Sequence, residues 1–137
     1  MTRLLPTRRI ALPALVLAVL VVAGFVFQAE GQTVAPQKIA VVVDTSHGPD
    51  AALVARAEQV LGAAEAAGAQ SQLRVTRTST EQLSVTHYLA AKGYDVIVGV
   101  GLDRAVAVDP VTAKYPGTAI ETVSPDALGA AVAAARR

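Results

Sequence analysis

The alternation of short β-favouring runs with segments of helical periodicity most constrains what this chain can fold into. The run KIAVVV at 38–43 is continuous and rich in valine, which is typical of a strand buried on both faces of a parallel sheet. Three further β-favouring runs follow at 71–77, 94–100 and 117–123, and the one at 71–77 is less apolar, which places it nearer an edge. Four successive strand–helix units predict an α/β fold, a parallel sheet with helices on both faces.

The helices are predicted from apolar spacing and from their start and stop signals. They fall at 51–67, from Thr80 to Gly93, at 102–114, and from Ser124 through the alanine-rich tail. Asp109-Pro110 lies inside the third helix and should shorten or kink it, because proline cannot donate a helical hydrogen bond. Ser124, followed by proline, should cap the last helix.

The binding site is predicted from the order of the strands. The first and third strands are the most apolar and belong in the centre, which gives the order 2-1-3-4. In such a sheet, ligands bind beyond the carboxyl ends of the strands where the strand order reverses, here between strands 1 and 3. The candidate ligand-binding residues flank that crevice, and they are Asp44, Ser46, His47, Asp50, Gly99, Gly101, Leu102 and Asp103.

The N-terminal segment, 1–29, predicts a membrane anchor or a signal peptide. Ile10 to Phe27 carries no charge, and at ~1.5 Å per residue it spans roughly 27 Å, near the thickness of a bilayer core. Arginines precede it, which places the N-terminus in the cytoplasm and the folded domain outside. The alternatives are secretion after signal cleavage and, less favoured, a buried core helix. Residues 30–37 read as a linker and 38–137 as the folded domain.

Composition excludes several classes of function. All 11 acidic residues but only 7 of the 12 basic ones lie between Glu30 and Asp126, so the domain lacks the basic face of a nucleic-acid reader. Without cysteine there are no disulfides or cysteine-based zinc sites, and His87 has no companion ligands. We therefore expect no nucleic-acid partner, no metal and no cofactor.

Catalysis is not expected either. Asp44, Ser46 and His47 are too close in sequence for a catalytic relay, whose side chains normally converge from separate segments. Gly99-Val-Gly101 does not continue into the longer dinucleotide fingerprint. Nothing else pairs titratable groups for acid–base work, and we predict that the protein is not an enzyme.

The stretches KIAVVVD, GYDVIVGVG and AKYPGTAIETV together resemble the N-terminal lobe of the basic membrane protein family, the nucleoside-binding lipoproteins of ABC transporters. The resemblance covers roughly 38–123 and implies one lobe of a type I periplasmic-binding-protein fold. Family members have two lobes, a lipid-attachment cysteine, and a Phe-Asn element in the loop after strand 1. In this sequence we expect one lobe; the cysteine and the Phe-Asn element have no counterpart, and only Asp44 and Asp50 match the site residues of that loop.

Two functions follow as hypotheses. The first is extracytoplasmic binding of a small solute, such as a nucleoside, by a single lobe. Because one lobe offers half a cleft, a second copy in a homodimer or another protein would have to supply the rest. The second is a degenerate interaction or sensor module that contacts an envelope or transporter protein.

Overall fold

The computed structural model describes residues 35–137, where strands and helices alternate in the predicted order. The strands are β1 (Lys38–Asp44), β2 (Gln70–Thr76), β3 (Val96–Val100) and β4 (Ala119–Val123). The helices are α1 (Ala51–Ala66), α2 (Ser79–Ala91), α3 (Asp109–Lys114) and α4 (Leu128–Ala135). Residues Pro36–Arg137 form one compact unit.

The four strands form one sheet in the order β2-β1-β3-β4, and every neighbouring pair is parallel. Val41 of β1 lies opposite Leu73 on one side and Val98 on the other. The predicted fold class and strand order are therefore confirmed. β1 and β3 occupy the centre because their side chains are buried on both faces.

The core has two halves, one on each face of the sheet. Ile39 to Val43 are all fully buried, and their side chains alternate between the faces as in any strand. Ile39, Val41 and Val43 pack against α1 and α4. Ala40 and Val42 pack against α2 and α3 on the other face. Each large apolar side chain buried in this way contributes about 1.5–3 kcal/mol.

β3 and β4 begin two residues later than predicted because the residues there make other contacts, whereas the ends of β1 and β2 differ by one residue. The backbone N–H of Tyr94 donates to Leu89 at the end of α2, and the Asp95 carboxylate accepts from the backbone N–H of Lys38 at 2.8 Å. β3 therefore begins at Val96. The hydroxyl of Thr118 donates to the carbonyl of Tyr94 at 3.0 Å, so the pairing of β4 begins only at the next residue.

The third and fourth helices also begin differently from the prediction. Arg104–Val108 is a turn of π-helix, and α3 follows it with Asp109-Pro110 at its start, so the proline shortens the regular helix. Ser124 makes no side-chain capping hydrogen bond. A turn of 3₁₀-helix at Pro125–Ala127 comes before α4.

The predicted membrane or signal segment, 1–29, and residues 30–34 of the linker lie outside the described residues. Within 35–137, none of the helices has the length and apolarity needed to cross a bilayer.

Candidate functional site

Three strand ends meet at the carboxyl edge of the sheet. Asp44 ends β1 and lies opposite Thr76, which ends β2. Gly101 follows β3, whose last residue, Val100, lies opposite Val43. The fold therefore brings together the two loops that the sequence predicted to flank a crevice.

Asp44 accepts hydrogen bonds from the loop that follows it and from the neighbouring strand. The hydroxyl of Thr76 donates to Oδ1 at 3.2 Å. The backbone N–H of Ser46 lies 3.4 Å from Oδ2, and its hydroxyl donates to the same oxygen. Ser46 Oγ also lies 3.2 Å from His47 Nδ1. Because Ser46 sits between the other two side chains, this arrangement differs from a relay in which histidine takes the serine proton.

These hydrogen bonds set the charge state of Asp44. Burial by itself would raise the pKa of Asp44, because a carboxylate is disfavoured away from water. Hydrogen bonds from the side chains of Ser46, Gln82 and Thr76 and from the backbone of Ser46 favour the charged form and outweigh burial. The pKa of Asp44 is therefore lowered from its ordinary value, which favours the charged carboxylate at the carboxyl end of β1.

Gln82 connects the two loops, and sequence reasoning missed it. Its side chain is buried, its Oε1 accepts from the backbone N–H of Asp103 at 2.8 Å, and its amide contributes to the lowered pKa of Asp44. Thr76 was missed as well. Both residues lie at or just beyond the carboxyl end of strand 2, and the strand order places that end beside strand 1. Position relative to the strand ends was thus the one signal that could have found them.

Gly101 lets the backbone pass close to Asp44. Its φ is +78°, in the left-handed region that favours glycine. A Cβ at this position would lie 3.3 Å from the Cβ of Asp44. The close approach leaves little room for a side chain between the ends of β1 and β3.

Leu102 and Gly99 belong to the core and not to a solvent-facing crevice. Leu102 is buried among the residues that face α2 and α3. A Cβ on Gly99 would lie 2.7 Å from Leu102 Cγ, so the Leu102 side chain packs directly against the backbone of Gly99. Both residues are predicted binding residues because they adjoin Gly101. In the structure, the Leu102 side chain packs in the core, and the absence of a side chain on Gly99 leaves room for it.

The remaining candidates cap helical turns. Asp103 Oδ1 accepts from the N–H of Val106 at 3.1 Å and so begins the π-helical turn. Asp50 Oδ1 accepts from the N–H of Leu53 at 2.9 Å and caps α1. The second oxygen of each carboxylate does not cap a helical turn, so it can accept a hydrogen bond from a ligand.

A recess of about 590 Å³ opens beside the loop that follows β1, between the start of α1 and the end of β2. We call it the α1 groove. Its lining is mostly apolar and includes the carboxylates of Asp50 and Glu58 and the guanidinium of Arg77. The residues that define it beyond the loop are Val54, Ala55, Glu58, Val75 and Arg77, with Ser46 and Asp50 at the loop end. It is large enough for a small solute.

His87 has a structural role between two helices. Its Nε2 lies 3.1 Å from Lys114 Nζ and 3.2 Å from the hydroxyl of Tyr115, whose ring it meets edge-on at 5.1 Å. Across residues 35–137, no three His, Asp or Glu side chains gather in a group that could hold a metal ion.

Comparisons with known proteins support the fold. No protein-family model matches the chain, and no curated protein matches it either. The chain is similar to a solved structure described as "Crystal structure of putative lipoprotein from Peptoclostridium difficile 630 (fragment)". The TM-score is 0.58 and the identity 18%, over 72% of this chain and 93% of that chain. At this identity, the likeness shows a shared α/β fold alone.

Proposed function

We propose that the protein binds a small solute outside the cytoplasm, as a single lobe related to the substrate-binding proteins of ABC transporters. The description of the structural neighbour as a lipoprotein supports a place outside the cytoplasm, and the apolar segment Ile10 to Phe27 would hold this chain at the membrane. The resemblance to the basic membrane protein family favours a nucleoside as the solute.

The observation that carries the proposal is the α1 groove. It adjoins the loop after β1 at the carboxyl edge of the sheet, but on the β2 side and not between β1 and β3, so Ser46 and Asp50 are the predicted site residues that line it. Val54 and Val75 give it an apolar floor for the flat face of a base. The second carboxylate oxygen of Asp50 and the guanidinium of Arg77 offer an acceptor and donors for the hydroxyls of a sugar.

The test is binding by the full-length chain in detergent, with adenosine, guanosine, uridine and thymidine as nucleoside probes and ribose and free amino acids as other solutes. Ala55→Phe would fill the α1 groove, since Ala55 lines it on the exposed side of α1. We expect calorimetry to show at least a tenfold loss of affinity for whichever probe binds.

The matched control is Ala63→Phe, which adds the same ring to an exposed position of the same helix, two turns away and outside the groove lining. It should bind as the wild type does. Equal affinity in the wild type and in Ala55→Phe would place the solute elsewhere and overturn the assignment of this groove.

A degenerate interaction or sensor module is the second candidate, and the hydrogen bonding of Asp44 favours it. Both oxygens of this carboxylate already accept from donors of the chain itself, which leaves little capacity for a ligand. Failure of all the probes to bind or to raise the melting temperature would favour this candidate over solute binding.

A further inference from the structure

β2 is an edge strand whose outer side is open. Among residues 35–137, it pairs only with β1. The N–H of Gln70 donates to Gln37, and the carbonyl of Thr76 accepts from Thr45, both at 2.8 Å. Even-numbered residues therefore turn their backbone groups towards β1, and alternate residues turn theirs the other way. The residues with outward-facing N–H and C=O groups are Ser71, Leu73 and Val75.

This edge lacks the usual protection against pairing. Proteins block exposed edges with proline, lysine, bulges or short strands. β2 has seven residues, QSQLRVT, with no proline, lysine or glycine. Its one charged side chain, Arg74, lies over a face of the sheet and not along the edge, with its guanidinium 5.4 Å from the ring centre of Tyr88. Val75 is 43% exposed, an apolar side chain left at an open edge.

Recesses flank the end of this strand on both faces of the sheet. The α1 groove lies on one face, and a second recess of about 340 Å³, lined also by Glu81 and Val85 of α2, lies on the other. Both include Val75 and Arg77. Side chains of an added strand alternate between the faces, so a strand laid along this edge would border both recesses.

The opposite edge of the sheet is less suited to pairing. β4 has five residues, and the N–H of Ala119 donates to the carbonyl of Asp95 beside β3. Only Ile120 and Thr122 therefore direct their backbone N–H and C=O groups outward. A symmetric antiparallel pair that engages both would set Glu121 opposite its own copy. Like charges directly opposite each other destabilise a sheet.

We propose that two copies of this chain pair through β2, antiparallel across a two-fold axis, and join their sheets into one. A single register engages all the outward-facing groups. Leu73 lies opposite Leu73 of the second copy, and Ser71 lies opposite Val75 on both sides. Each of these pairs exchanges two backbone hydrogen bonds, and the interface is self-complementary, as a two-fold axis requires.

Charge complementarity points to a second copy as the occupant of this edge. On the α1 face, Glu65 accepts a hydrogen bond from the Ser71 hydroxyl. Ser71 lies opposite Val75 of the other copy, and Arg77 stands two residues further on the same face. The register therefore directs Arg77 towards Glu65 of the second copy, twice by symmetry. Within residues 35–137, neither side chain belongs to an ion pair.

The pairing would also complete the proposed solute site. Val75 and Arg77 line the α1 groove on its open side, and the second copy would stand beside them there. A half-open recess would thereby gain a second wall. This closure rests on the proposed function, whereas the pairing of the strands does not.

The test uses the absence of cysteine from the chain. In the full-length protein in bacterial membranes, Leu73→Cys should form a disulfide-linked dimer on mild oxidation. Opposed residues of such a pair have Cα atoms about 5.5 Å apart, within the range that a disulfide spans. Thr122→Cys on the β4 edge is the matched control and should stay monomeric. Equal cross-linking of both variants would overturn the proposal, and so would linkage of Leu73→Cys to a different protein.

The register has its own test. Ser71→Cys and Val75→Cys should each remain monomeric alone, since in this register each lies about 13 Å along the strand from its own copy. Co-expressed with different tags, the two variants should cross-link to each other. Cross-linking of either one alone, as efficient as that of Leu73→Cys, would contradict the register.

Charge reversal tests the choice of a second copy. Arg77→Glu or Glu65→Arg alone should reduce cross-linking at Leu73→Cys several-fold, and the two together should restore it. Failure of the double reversal to recover cross-linking would remove the proposed contact between Arg77 and Glu65. None of these assays requires a ligand, so their failure leaves solute binding standing, and failure of all probes to bind leaves the pairing standing.

Discussion

Asp44 is held by donors from three different parts of the chain. Ser46 belongs to the loop that follows it, Thr76 to the neighbouring strand and Gln82 to α2. The sequence predicted where Asp44 would lie, because a strand end at a reversal of strand order is a property of topology. It did not predict Thr76 and Gln82 as donors, because contacts between residues more than 30 positions apart depend on register and rotamer.

The lowered pKa of Asp44 makes part of the stability depend on pH. A carboxyl group whose pKa is lower in the folded state binds its proton more readily in the unfolded state. The stabilisation is complete above the ordinary aspartate pKa of about 4 and is lost as the pH falls through the lowered pKa. The Asp44→Asn variant should lack this contribution. The difference in free energy of unfolding between this variant and the wild type should therefore shrink as the pH falls.

Urea denaturation of the full-length chain between about pH 6 and pH 2 would measure this difference. Ser46→Ala is the companion variant, because Ser46 supplies the strongest of the hydrogen bonds that lower the pKa of Asp44. Its stability should fall less on acidification than that of the wild type, because the pKa of Asp44 is lowered less without the Ser46 hydroxyl. A pH-independent difference between Asp44→Asn and the wild type would contradict the linkage.

At the scale of elements, the exit of β3 combines a tight fit with a sharp turn. Leu102 folds back over Gly99, and the chain can do so because Gly101 between them adopts a positive φ. The sequence showed the two glycines and suggested a ligand as their reason. Packing explains Gly99 instead, since only the folded chain shows that a side chain from three residues away occupies the space above it.

Gly99→Ala should therefore destabilise the fold by about 1–3 kcal/mol, the usual cost of overpacking a core. The cost should be smaller in a Leu102→Ala background, where the side chain that blocks the new methyl group is gone. Urea denaturation of the two single variants and the double variant gives the coupling energy.

Gly117→Ala is the control for this cycle, because a Cβ there meets nothing within 4 Å and its φ is not positive. It should change the stability by no more than about 0.5 kcal/mol. Strictly additive costs of Gly99→Ala and Leu102→Ala would show that the two positions do not share the space.

For the molecule as a whole, the order of the strands was predictable and the ends of the elements were not. Continuous valine-rich runs mark strands buried on both faces, which placed β1 and β3 in the centre. Element ends depend on contacts distant in sequence, such as that of Asp95 with Lys38. The α1 groove was not predicted because α1 and β2 must pack before any recess exists between them.

The anchoring of the chain is a prediction at the same scale. The uncharged run from Ile10 to Phe27 is as long as a bilayer core is thick, and the arginines before it set its orientation. Expressed in a bacterium, the full chain should remain with the membranes after a high-pH carbonate wash. Recovery of a soluble form that begins between Gly24 and Glu30 would show cleavage of a signal peptide instead.

The central position of β1 has a consequence for how the chain is synthesised. Among the strands of residues 35–137, β1 is the first to leave the ribosome, but Ile39 pairs with Val96, and the centre of the sheet cannot assemble until β3 has been translated. At about 5–20 residues per second, that delay lasts several seconds. During this delay, the valine-rich strand β1 lacks its sheet partner on the β3 side. During this interval the nascent chain is most exposed to aggregation and most accessible to a chaperone.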